Sequence, residues 1–236
     1  YAEKFKTFLR YQPTVCDKAG VRELPGAFGG LEMRRVSFTY PGAEEPVLRD
    51  ISLTIKPKQK IALVGYNGAG KSTLIKLLMR LYDPTEGVVL LNGENIDGFT
   101  LTSYRELFGA VFQDYQLFAA SIAENVVTGT YTDDKRERVI QALTDSGFAE
   151  KLESLPLGIG TSLTKEFDPD GIQLSGGEAQ KIAIARIFTK PCDVVILDEP
   201  SSALDPSSEY ELNRMMMSAA FDKTVIFISH RLSTTR

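Results

Sequence analysis

In the first ten residues, Phe5, Phe8 and Leu9 fall on one side of a 3.6-residue repeat, which predicts a short amphipathic helix. Residues 11–30 carry Pro13, Gly20, Pro25, Gly26, Gly29 and Gly30 and read as a linker. Two strand-like runs follow, Leu31–Tyr40 and Val47–Ile55, joined by a turn at residues 41–46. Lys60–Val64 reads as a buried strand and Ser72–Arg80 as a helix. Val88–Leu91 and residues 108–112 are further strands by pattern, the latter leading to Gln113. From Asp114 to Thr189 the pattern is mostly helical, as in Asp133–Ser146 and Gly176–Phe188. Val194–Leu197 is apolar throughout, and Thr224–Ser229 is a last strand before His230. Strands alternating with helices predict an α/β chain built on a mostly parallel sheet covered on both faces. The stretch 114–189 reads as a helical subdomain inserted into that core.

Composition narrows the function classes. Apolar residues make up 43% of the chain, enough for a substantial core. A net charge of −4 gives no global basic surface for nucleic acid. Cys16 and Cys192 form neither a metal-spaced pair nor a disulfide framework, which points to a reducing compartment. No apolar run approaches the ~18 residues that a membrane-crossing helix needs.

Candidate chemistry concentrates at three places. Gly65-Tyr66-Asn67-Gly68-Ala69-Gly70-Lys71-Ser72 is a complete G-x-x-x-x-G-K-[ST] loop between a strand and a helix. Such a turn aims backbone N–H groups and a helix N-terminus at one point, which favours a polyphosphate. Lys71 is placed to reach the outer phosphates and Ser72 to hold Mg2+. Val194–Leu197 then delivers Asp198 and Glu199 to the C-terminal edge of a parallel strand, where nucleotide sites form in open α/β sheets. There Asp198 suits the Mg2+ shell, and Glu199 suits orienting and deprotonating a water; capping of a following helix is the alternative. Third, Ser175 can cap a helix whose first residues, Gly176 and Gly177, leave backbone N–H groups bare. This is either a second anion nest or a plain helix start.

These residues resemble the nucleotide-binding domain of ABC transporters over residues ~31–236, with the motifs in the family's order. Gly65–Ser72, running on to Thr73, is similar to the Walker A loop, and Val194–Glu199 to the Walker B strand. Leu174–Glu178 is similar to the family signature, which usually ends in Gln where this chain has Glu178. Gln113 resembles the Q-loop glutamine, Ser202–Asp205 the D-loop, His230 the switch histidine and Tyr40 the aromatic that stacks on adenine. The resemblance implies a phosphate-loop NTPase fold of the ABC-ATPase type. Its parts are a mostly parallel sheet core, an N-terminal antiparallel β subdomain and the inserted helical subdomain.

The resemblance also implies ATP and Mg2+, with Ser72, Gln113 and Asp198 toward the metal and Glu199, His230 and Gln113 toward catalysis. Two such domains, as a homodimer or heterodimer, would sandwich ATP head to tail. Ser175, Gly176 and Gly177 would then contact the nucleotide held by the other copy, and Asp205 would order the D-loop at the dimer contact. Phe112-Gln113-Asp114, Leu117-Phe118 and Ser121-Ile122-x-Glu124-Asn125 are similar to exporter-type domains fused to a transmembrane half. On that likeness residues 1–30 are a linker from a membrane domain, and residues 31–236 are the ATP-binding domain at the cytoplasmic face, cut short six residues past His230. Glu166, in the acidic run from Thr164 to Gly171, would touch the membrane domain, a solvated charged turn being the alternative. A soluble ABC ATPase acting on nucleic acid or ribosomes, or a regulatory half of an asymmetric pair, is the alternative. The 103 residues from 72 to 174 leave no room for a long coiled coil, and Glu199, His230 and Ser175 are all present.

Overall fold

The computed structural model describes residues 2–9, 13–165, 168–198 and 222–229. Along the chain these form α1 (Ala2–Leu9), β1 (Leu31–Phe38), β2 (Leu48–Ile55), β3 (Lys60–Val64), α2 (Lys71–Leu78), β4 (Glu86–Leu91), β5 (Glu94–Asn95) and α3 (Leu101–Glu106). They continue through β6 (Phe108–Val111), α4 (Ile122–Val127), α5 (Arg136–Asp145), α6 (Ala149–Glu153), α7 (Gly176–Thr189), β7 (Val194–Asp198) and β8 (Thr224–Ser229). The described residues divide into two compact units, one drawn from Tyr1–Ile55 and Ser72–Arg105, the other from Lys56–Lys71 and Glu106–Arg236.

The first unit is built on an antiparallel sheet in the order β2-β1-β4-β5. β1 alternates buried Leu31 and Met33, then changes phase to bury Val36 and Phe38. A period-2 strand can change phase only through an irregularity, and Arg35 takes a positive φ of 47° there. Gly87 on β4 lies against the irregularity with φ 80°, and a Cβ on it would stand 2.3 Å from the Arg35 carbonyl oxygen. Only glycine fits that crossing. Val88–Leu91 therefore extends back to Glu86 and pairs antiparallel with β1, outside the parallel sheet.

Residues 13–30, expected as a linker, are tied to the segment 92–103 of the same unit. Arg22 exchanges backbone hydrogen bonds with Gly98 and Thr100, at 3.0 and 2.9 Å. Asp17 accepts from the Leu101 N–H at 2.7 Å, at the start of α3. Lys18 pairs with Asp97. Asp97 also faces the fully buried Arg80, which donates to the carbonyls of Ile96 and Phe99 at 3.2 and 3.1 Å. Arg80, two residues past α2, is in the left-handed region with φ 53°, and the Leu81 N–H closes back on the Lys76 carbonyl at 2.8 Å. On α1, Phe5 and Leu9 are exposed.

The second unit is built on a parallel sheet in the order β3-β8-β7-β6. Parallel neighbours need long crossovers, and between β6 and β7 the helices α4 to α7 supply one. α7 serves two cores at once because its apolar residues occupy two faces. Ala183, Ile184 and Ile187 pack on Val111, Val195, Leu197 and Val225 of the sheet. Ile182 and Ala185 pack with Ile122, Val126, Val139 and Leu143 of the surrounding helices and with Phe148, just before α6. Among the described residues, no helix is long and apolar enough to cross a membrane.

Candidate functional site

The four parallel strands end together at one edge. Val64 of β3 lies opposite Ser229 of β8. Asp198 of β7 lies opposite Ile228, and Leu197 lies opposite Val111 of β6. The chain leaves this edge into the Gly65 loop after β3 and into the Gln113 turn after β6. β7 is buried along its whole length, and Asp198 is 9% exposed. The sheet register thus carries Asp198, the glycine loop and the Gln113 turn to a common edge, the position at which parallel α/β sheets bind ligands.

The loop is shaped by its glycines. Gly68 and Gly70 take φ values of 81° and 85°, which a side chain would oppose. The Ala69 N–H donates to the Tyr66 carbonyl at 3.1 Å, closing a turn, and residues 66–69 stand exposed. Lys71 curls back, donating to the carbonyls of Gly65 at 2.8 Å and Tyr66 at 3.0 Å. A cation at an exposed glycine turn that opens a helix is a site for a negatively charged group. Ser72 and Thr73 continue α2 from Lys71.

Ser175 caps α7. Its hydroxyl accepts from the Glu178 N–H at 3.3 Å, and the Glu178 carboxylate accepts from the Ser175 N–H at 2.8 Å. Either Glu or Gln could close this reciprocal pair, and a carboxylate adds a charge that suits the positive end of the helix. Lys151 on α6 pairs with Glu178 at 3.0 Å. Gly176 and Gly177 occupy the first turn, where backbone N–H groups have no intrahelical acceptor.

The Glu178 carboxyl is held below its ordinary 4.5, first by the Ser175 N–H bond and further by Lys151. A depressed acid stabilises the folded chain above its unfolded pKa and loses that contribution as pH falls through the folded one. Glu178→Gln is expected to cost about 0.3–1 kcal/mol at neutral pH. Thermal melts at decreasing pH check this: the gap to the parent closes below about pH 4.5, and a gap that stays constant refutes it.

Tyr40 belongs to the first unit. Its hydroxyl lies 3.1 Å from that of Thr73, and its ring packs edge-on against Phe38 and Tyr82 at 4.9 and 5.3 Å between centroids. Glu199, His230, Asp205 and Glu166 lie outside the described residues. The oxygen donors of Ser72, Gln113 and Asp198 are of the hard type that Mg2+ takes. Among the described residues no cluster of three or more His, Cys, Asp or Glu forms a separate metal cage. Two residues absent from the motif reading also meet here: Tyr115 donates to the Gly176 carbonyl at 2.9 Å, and Arg186 to the Gln116 carbonyl at 2.8 Å. Bonds between residues about sixty positions or more apart leave no periodic trace in a sequence.

Residues 48–202 match the profile of a family described as ABC transporter. An ATP-dependent lipid A-core flippase of Pseudomonas fluorescens is 39% identical over 99% of the chain. A putative multidrug export ATP-binding/permease protein, YgaD, of Bacillus subtilis is 40% identical over 96% of it. The chain spans 38% of the length of each of these relatives. Among solved structures, a bacterial Atm1-family ABC exporter with ATP bound superposes with a TM-score of 0.86 and 34% identity, covering 99% of this chain and 40% of that one.

Proposed function

The chain belongs to the ABC transporter family, as one of its ATP-binding ATPase domains, and from that premise we propose that it powers export through nucleotide-driven pairing. Two such domains, each joined to a transmembrane domain and lying at the cytoplasmic face, close over two ATP molecules. Gly65–Thr73 and Tyr40 of one copy hold a nucleotide, and Ser175, Gly176 and Gly177 of its partner cover the outer phosphate. A water attacks the γ-phosphorus, Glu199 takes its proton, and the bond to ADP breaks. His230 contacts the γ-phosphate during this displacement, and Gln113 reports the state of the nucleotide to the membrane domain. Mg2+, when bound, neutralises phosphate charge, with Ser72, Gln113 and Asp198 offering the donors.

One observation supports the reading above the others. The glycine loop, the Gln113 turn and Asp198 share the C-terminal edge of one parallel sheet, while the same unit carries a second capped nest at Ser175. A nest on α7 serves this chemistry if its phosphate comes from a second copy. Ser175→Ala in the intact protein is expected to lower the ATPase kcat roughly 2- to 10-fold, the worth of one hydrogen bond, with ATP affinity unchanged. Steady-state phosphate release and equilibrium nucleotide binding measure the two quantities. An unaltered kcat would refute the role in the partner's site.

A further inference from the structure

We propose that Tyr115 is a positioning residue that ties the Gln113 turn to the Ser175–Gly177 turn, so that the contacts to two different nucleotides move together. The inference rests on the head-to-tail reading above. Tyr115 lies two residues after Gln113, and its hydroxyl donates to the carbonyl of Gly176, the first residue of α7. The ring packs against the core between α7 and the sheet, which fixes where the hydroxyl points. Burial pushes the phenol up from its ordinary value, so it remains a neutral donor at working pH.

A second anchor makes the link stiff. Arg186, near the other end of α7, donates to the carbonyls of Gln116 at 2.8 Å and Asn125 at 3.0 Å. Its guanidinium also lies over the Phe118 ring, 5.6 Å from the centroid. Residues 115–118 are thus bound to α7 at Gly176 and again ten residues on, about 15 Å along the helix axis. The first turn of α7 has further polar contacts, but these come from its own Glu178 and from Lys151 of α6. The Tyr115 bond is the one that reaches it from the segment bearing Gln113. A displacement of Gln113 by its own nucleotide therefore pulls on the turn that closes over the partner's.

Tyr115→Phe in the intact protein removes one oxygen and keeps the ring. The expected result is a kcat lowered roughly 2- to 10-fold with an unchanged ATP dissociation constant. Combined with Ser175→Ala, the loss is expected to fall short of the product of the two single losses, because both act through one turn. An unaltered kcat, a parallel loss of ATP affinity, or losses that multiply would each overturn the proposal. If Ser175→Ala slows turnover while Tyr115→Phe does not, this inference alone fails. If Ser175→Ala leaves turnover unaltered, the head-to-tail reading fails with it.

Discussion

Glu199→Gln lowers ATP turnover by about 10²–10⁴-fold while nucleotide binding persists, the expected signature of losing a general base. The amide matches the carboxylate in size and still hydrogen-bonds, but it cannot take a proton from water. The strand that leads to Glu199 gives the substitution its meaning. β7 is buried throughout and held in register on both sides, by β8 and β6. Glu199→Gln replaces no residue of that strand, so its expected effect is on the chemistry. Phosphate release measured beside equilibrium ATP binding separates the two effects. Turnover near that of the parent would exclude Glu199 from the role.

Lys71→Ala acts one step earlier, on binding. The ammonium lies over the loop, bonded to the carbonyls of Gly65 and Tyr66, where it can turn to an incoming phosphate. Charge-assisted hydrogen bonds are worth about 1.5–3 kcal/mol, so ATP affinity is expected to fall roughly 10- to 100-fold. AMP, which lacks the outer phosphates, should lose far less. Titration calorimetry with both nucleotides checks this. Equal losses for ATP and AMP would place the lysine away from the outer phosphates. Lys71→Arg is not expected to restore affinity, since a planar fork does not replace a compact charge inside a tight loop.

The parallel strands and the glycine loop were legible because each carries a local signal. Buried strands read as unbroken apolar runs, as in Val194–Leu197, and Gly68 and Gly70 stand where the loop needs positive φ. The pairing of β4 was not legible from pattern alone. Val88–Leu91 looks like any other buried strand, and its antiparallel partner is fixed by the irregularity at Arg35 and its fit to Gly87. The six-residue helices α3 and α4 are too short for a 3.6-residue repeat to declare itself. α4 nevertheless begins with the same capping pair as α7, Ser121 with Glu124, a spacing that a sequence displays openly. Tyr115 and Arg186 escaped because what matters about them is a partner distant in the chain.

The ties made by residues 17–29 decide where the chain can be shortened. A truncation beginning at Leu31 would strip the Leu101 N–H of its Asp17 cap, Thr100 of the Arg22 carbonyl and Asp97 of Lys18. Asp97 would then face Arg80 alone, at the C-terminal end of the helix that starts with Lys71. Fragments prepared for biophysical work should therefore begin upstream of Asp17, and a loss of nucleotide affinity in shorter ones would reflect a damaged scaffold.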